Sequence, residues 1–134
     1  MKTPVNFFLF CCIVCFSFFA ACSKSNNSLN NFQPEVANIT DNFQLQATNV
    51  KQVTTNIEYS WTNTGTMANI DKSGVVTAGT AKVSIFDPNG TSVYTSDLKL
   101  TGSESTTAGV AGVWKIRLEL SNYDGTLNFR VQKK

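Results

Sequence analysis

Between Val113 and Leu120 the chain alternates, with Trp114, Ile116, Leu118 and Leu120 apolar and Lys115, Arg117 and Glu119 charged. A helix would scatter those apolar groups around its axis, whereas a strand aligns them on one face. Asn122-Tyr123-Asp124-Gly125 follows, with Asp-Gly as a turn signal, and then Leu127, Phe129 and Val131 alternate with Asn128, Arg130 and Gln132. This spacing predicts a C-terminal hairpin.

The same period of two recurs upstream. Val83 and Ile85 alternate with Lys82 and Ser84 ahead of Asp87-Pro88-Asn89-Gly90, and Val93 to Leu100 returns as the partner strand. Pro88 presets the first central angle of that turn, and Gly90 accepts positive φ. Asp71-Lys72-Ser73-Gly74 reads as another turn, between a strand near Met67 to Ile70 and one from Val75. Phe43, Leu45 and Ala47 define an earlier strand; Val53, Thr55, Ile57, Tyr59 and Trp61 share a face of the next; Val36 to Thr40 adds an edge strand. The stretch from Ser103 to Gly112 is rich in small residues and reads as a mobile loop. The pattern predicts an all-β fold, a single antiparallel β-sandwich of seven or eight strands.

The first residues follow a different pattern. Lys2 precedes an apolar run from Phe7 to Phe19, interrupted only by Ser17 and closed by Ala20-Ala21-Cys22. The run has signal-peptide length and falls short of the roughly 20 apolar residues that span a bilayer. Phe19-Ala20-Ala21-Cys22 resembles the bacterial lipobox: an aliphatic residue, two small residues and the cysteine that is lipidated. Phe19 departs from the usual Leu. The resemblance implies cleavage before Cys22 and diacylation of its thiol. Cys11, Cys12 and Cys15 would leave with the leader, so the mature chain would carry one cysteine, at its terminus. An ordinary secretory signal would instead leave Cys22 as a free thiol in an oxidising compartment. Two acyl chains anchor stably where one is marginal.

Ser23 to Asn31 is polar and aperiodic, a composition that cannot bury enough apolar surface to order itself, and it reads as a flexible tether. The division is a signal peptide over 1–21, lipidated Cys22 with its linker over 22–34, and one domain over 35–134. By analogy with lipoprotein sorting, Ser23 after the cysteine does not carry the inner-membrane retention signal of an Asp. Surface-displayed lipoproteins often carry an acidic cluster there; this chain has Lys24 and no acid until Glu35. The resemblance implies an outer-membrane lipoprotein facing the periplasm, with the cell surface as the other location.

Two further resemblances bear on the domain. Tyr59-Ser60-Trp61, and Ile70 through Ala81 with its Asp71-Lys72-Ser73-Gly74-Val75-Val76-Thr77-Ala78 segment, resemble the bacterial Ig-like group 2 pattern. Asp87-Pro88-Asn89-Gly90, Gly112-Val113-Trp114-Lys115-Ile116 and Gly125-Thr126-Leu127 resemble the C-terminal half of bacterial pre-peptidase and P-type sandwich domains. Both families imply an Ig-like architecture and an accessory, non-catalytic role.

Candidate chemistry is sparse. The chain has no histidine, which removes the commonest general base and the usual zinc ligands. The acids Glu35, Asp41, Glu58, Asp71, Asp87, Asp97, Glu104, Glu119 and Asp124 are isolated in sequence. The reading is therefore no enzyme, no catalytic residue, no cofactor and no metal; Asp87 and Asp124 fit turn geometry better than calcium ligation. A net charge of +2 implies no nucleic-acid partner. Tyr59, Trp61 and Trp114 fall on apolar strand faces and read as core. Phe86, Tyr94 and Tyr123 lie near turns, where exposed rings stack on sugars. The expected function is a membrane-anchored envelope lipoprotein with a binding or adhesion module, its partner an envelope protein or a glycan. A carbohydrate-binding module is the alternative.

Overall fold

The computed structural model describes residues 27–134; the expected leader, the lipobox-like stretch and Cys22 lie outside the described residues. The fold is all-β, with seven strands in chain order: β1 (Glu35–Ile39), β2 (Asn42–Asn63), β3 (Ala68–Lys72), β4 (Val75–Phe86), β5 (Ser92–Asp97), β6 (Gly102–Ser105) and β7 (Gly112–Lys133). All pair antiparallel in one sheet ordered β1-β2-β7-β3-β6, with β4 on β7 and β5 on β4.

The two layers of the sandwich are halves of this one sheet, folded over. β2 and β7 pair along their whole length, from Asn42↔Gln132 to Asn63↔Gly112. Midway, the register steps through Ala47↔Leu127, Val50↔Gly125, Val53↔Tyr123 and Thr55↔Leu120. β2 thus carries an extra residue at each of the first two steps, and β7 carries one at the third. Such bulges bend a strand without ending it. Asn49, Gln52 and Asn122 take φ of 54°, 51° and 45° at these points. The bulges also preserve facing: Ala47, Val50 and Val53 stay buried while Thr48, Asn49, Lys51 and Gln52 stay exposed.

β4 turns the same corner at Gly79 (φ 68°), where a Cβ would lie 2.3 Å from the carbonyl oxygens of Ser121 and Asn122. Only glycine lets the two backbones approach this closely. Beyond the corner, β7 sits between β2 and β4 in one layer and between β2 and β3 in the other. Both ends of the long strands return to the far end of the molecule. There the Asp41 carboxylate accepts from Thr64 N (2.7 Å), Thr64 Oγ1 (2.8 Å) and Lys133 Nζ (3.0 Å).

Five sequence expectations change. The strand expected near Met67 to Ile70 runs on through Asp71 and Lys72, so that only Ser73 and Gly74 connect it to β4. Asn122 to Gly125 is a bend within β7, not a hairpin turn, because β2 and β4 hold that strand on both sides. Phe43–Ala47 and Val53–Trp61 are likewise halves of one strand, because β7 pairs with both. β6 takes part of the Ser103 to Gly112 stretch, and hydrogen bonds from Thr106 N to Ala68 O (2.9 Å), Thr107 N to Val93 O (3.0 Å) and Gly109 N to Thr66 O (2.8 Å) pin the rest. The expected tether over Ser23 to Asn31 is structured from Asn27 on. Asn27 bridges to Val53, and Leu29–Phe32 form a 3₁₀ turn whose Leu29 is 2% exposed in the core. The domain therefore includes Asn27 to Phe32, ahead of the expected boundary at 35, because one buried leucine secures an otherwise polar segment. The Asp87–Gly90 turn between β4 and β5, and the β1 edge strand, form as the spacing predicts.

The core lies between the layers. Trp61 and Trp114 face each other across β2 and β7 in a T-shaped pair, centroids 5.9 Å apart, both fully buried.

Candidate recognition surface

The loop end, opposite the corner, gathers Thr40–Asp41, Asn63–Met67, Asp87–Thr91 and Thr106–Gly112. Asp87 is its anchor. Pro88 presets the turn, and the buried carboxylate then accepts from the backbone N–H groups of Asn89 (3.0 Å) and Thr91 (2.9 Å) through Oδ1 and of Val110 (3.2 Å) through Oδ2. The Trp114 indole N–H donates to Val110 O at 2.7 Å. One carboxylate and one indole thus fix two loops against each other. Asn63 does the same for its own loop, accepting from Gly65 N at 3.0 Å.

Beside these loops is an open recess of about 420 Å³, lined by Phe86, Pro88, Val113, Trp114, Lys115 and Arg117 among others. Val110 and Val113 stand exposed at this end, at 48% and 58%. The Arg117 guanidinium lies 4.9 Å from the Phe86 ring centroid, a cation–π contact. Arg117 and Lys115 both pair with Glu58, at 2.7 and 3.1 Å. A second, larger groove of about 910 Å³ lies toward the corner, walled by hydroxyl side chains such as Thr54, Thr80 and Ser121 and by the Lys82–Glu119 pair at 2.8 Å.

A polar bridge ties the layers together. The side chain of Lys72 on β3 is 1% exposed, donating to Ser96 Oγ on β5 at 2.6 Å and pairing with Glu104 Oε2 on β6 at 3.1 Å. Tyr94 donates to the same Glu104 oxygen. Burial pulls the Lys72 pKa down, but the hydrogen bonds of Tyr94 and Glu104 outweigh it and leave the ammonium above its ordinary value. The residue types of Asp71-Lys72-Ser73-Gly74 suggest a turn, but Lys72 ends β3 on the same buried face as Ala68 and Ile70, and its partners come from distant strands.

The ionisable groups whose pKa is shifted share one trend. Hydrogen bonds hold four carboxyls below their ordinary range: the Thr64 backbone N–H for Asp41, Arg117 and Lys115 for Glu58, Ser103 and Arg130 for Asp71, and Tyr94 and Lys72 for Glu104. Burial raises Tyr59 and Tyr94, and pushes Tyr123 up to about 12. Every one of these groups moves away from neutrality. The other acids from Asp41 onward are engaged too: Asp97 accepts from Lys99 N, Glu119 pairs with Lys82, and Asp124 accepts from Gln52 N at 2.6 Å.

The sequence-proposed stacking rings are already in use. Tyr123 is fully buried with its hydroxyl on Val75 O (3.2 Å), Tyr94 is half-buried in the lysine bridge, and Phe86 is half-buried under Arg117. Among the described residues no aromatic side chain is exposed, and no group of His, Cys, Asp and Glu is placed to hold a metal ion. Asp87 and Asp124 hold backbone amides. No helix among the described residues is long and apolar enough to cross a membrane. Comparison of the chain with protein-family models and with curated proteins finds no match.

Proposed function

We propose that the chain is an outer-membrane lipoprotein, anchored through diacylated Cys22 and facing the periplasm, whose β-sandwich is a non-enzymatic recognition module. The anchor rests on the Phe19-Ala20-Ala21-Cys22 sequence and on a terminal cysteine left unpaired after cleavage. The non-catalytic part rests on the ionisable groups. A general acid or base works best with a pKa near ambient pH, and here carboxyls are lowered and tyrosines raised. Hydrogen bonds that depress a carboxyl also fix it, which suits a scaffold.

The loop end is the surface proposed for recognition. Pinned loops lose little entropy when a partner docks, and Val110, Val113 and the Phe86–Arg117 recess give it apolar and cationic contacts. An envelope protein fits this chemistry better than a glycan, because the rings that would stack on sugar are occupied.

A photo-crosslinking residue in place of Val113, in the full-length chain in intact bacteria, tests this reading. The expected result is a discrete adduct of the anchored protein that is lost or much reduced in Cys22→Ser. An equal adduct yield from the unanchored form would make the membrane position incidental. Turnover of a peptide or glycan by the purified protein would overturn the non-catalytic reading.

A further inference from the structure

We infer that the domain stands on its membrane with the corner inward and the loop end outward. The inference rests on Cys22 being the lipid anchor, and adds to it which end of the domain the bilayer faces. The chain enters the fold at the corner: Asn27 N donates to Gln52 O at 3.1 Å, Asn27 Nδ2 donates to Lys51 O at 2.9 Å, and Asn27 bridges to Val53. Those partners are the bulge residues at which β2 folds over. Leu29, two positions on, is buried in the core, so this entry point is held by packing as well as by hydrogen bonds.

The segment from Cys22 to Asn27 bounds the distance. Its five residue steps span at most about 18 Å when fully extended. The corner therefore stays within that distance of the lipid attachment point. From Val53 to Asn63, β2 runs about ten residues, or about 33 Å, away from the corner. The loop end cannot reach the anchor unless the domain lies flat, and with so short a leash the Asn27 end remains nearest the headgroups in every other pose.

The exposed residues at each end give places to measure from. Leu100, in the β5–β6 connection, and Val75, at the start of β4, are exposed near the corner. Asn89 and Val113 are exposed at the loop end. The lysine and acid side chains at the corner largely offset each other, with Lys51 paired to Asp124 at 3.8 Å and Lys82 to Glu119 at 2.8 Å. The orientation thus comes from the leash and not from electrostatic attraction to lipid.

The test uses the mature, lipidated protein in phosphatidylcholine vesicles that carry an acceptor dye on the headgroups. With Cys22 capped by lipid, a single introduced cysteine takes the donor dye, in Leu100→Cys or Asn89→Cys. Val75→Cys and Val113→Cys serve as a second pair, against local effects of one label. Energy transfer several-fold stronger from Leu100→Cys and Val75→Cys than from Asn89→Cys and Val113→Cys supports the inference. Equal or reversed transfer in vesicle-bound protein overturns the orientation and leaves the anchor intact. Failure of the wild type to float with vesicles, with no lipid on Cys22, overturns the anchor and the orientation together.

Discussion

Phe43 and Tyr59 belong to the same strand, yet their rings pack at a centroid distance of 5.2 Å. A straight strand would hold them about 53 Å apart. The bulges between Ala47 and Thr55 remove that distance, placing the two halves of β2 in opposite layers with their apolar residues facing each other. The fold is therefore a ribbon doubled over, and its stability depends on the fold line as much as on the core.

Gly79 sits on that line. Gly79→Ala adds a Cβ at 2.3 Å from two backbone oxygens in a φ of 68°, whereas Gly90→Ala, also at positive φ (80°), adds one with nothing within 4 Å. Backbone strain of this kind costs about 1–3 kcal/mol. Gly79→Ala should lower the denaturation midpoint clearly more than Gly90→Ala. Equal effects would mean that the close approach at the corner is dispensable.

Trp114 is fully buried, packs edge-on against Trp61 and donates its indole N–H to Val110 O. Trp114→Ala should cost about 3–5 kcal/mol in chemical denaturation. Because the indole also pins the loop end, the Thr106–Gly112 amides should lose hydrogen-exchange protection in the same variant.

Leu29 distinguishes an ordered N-terminal segment from a tether. Leu29→Ala should destabilise the protein by about 2–5 kcal/mol, as for a buried core leucine. A change within about 0.5 kcal/mol, the usual range for a surface site, would return Leu29 to the linker.

Tyr123 sets a limit at high pH. Its folded pKa is raised from 10.0 to about 12 by burial. The folded state then holds a proton that the unfolded state releases, so stability falls as pH rises from about 10 to about 12. Tyr59 and Tyr94 move in the same direction. Urea denaturation across this range should show the loss, and Tyr123→Phe should flatten part of it. The lowered carboxyls act in the opposite sense at the acid end. Their contribution is present above the ordinary carboxyl range and fades as pH falls through their depressed folded values.

The strands were legible in sequence because alternation survives burial. Trp114, Ile116, Leu118 and Leu120 all point inward as their spacing requires. The Asp87–Gly90 turn was legible because Pro88 and Gly90 are local signals. The bends were not. Asn122 and Gly125 have the residue types of a turn and do take positive φ, but whether the chain reverses there or bends depends on β2 and β4, which lie far away in sequence. Leu29 and Lys72 escaped for a related reason. One is a lone apolar residue in a polar segment and the other a charge beside a turn, and only distant strands decide that both are buried. Most of the candidate surface was equally hidden, since Asp87 and Val110 meet only after folding.

Anchoring through Cys22 underlies the proposed function, and intact mass spectrometry of the mature protein from membranes tests it most directly. The predicted result is a chain that begins at Cys22 and carries a diacylglyceryl group on that residue. An N-terminus elsewhere, or Cys22 recovered as an unmodified thiol, would contradict it.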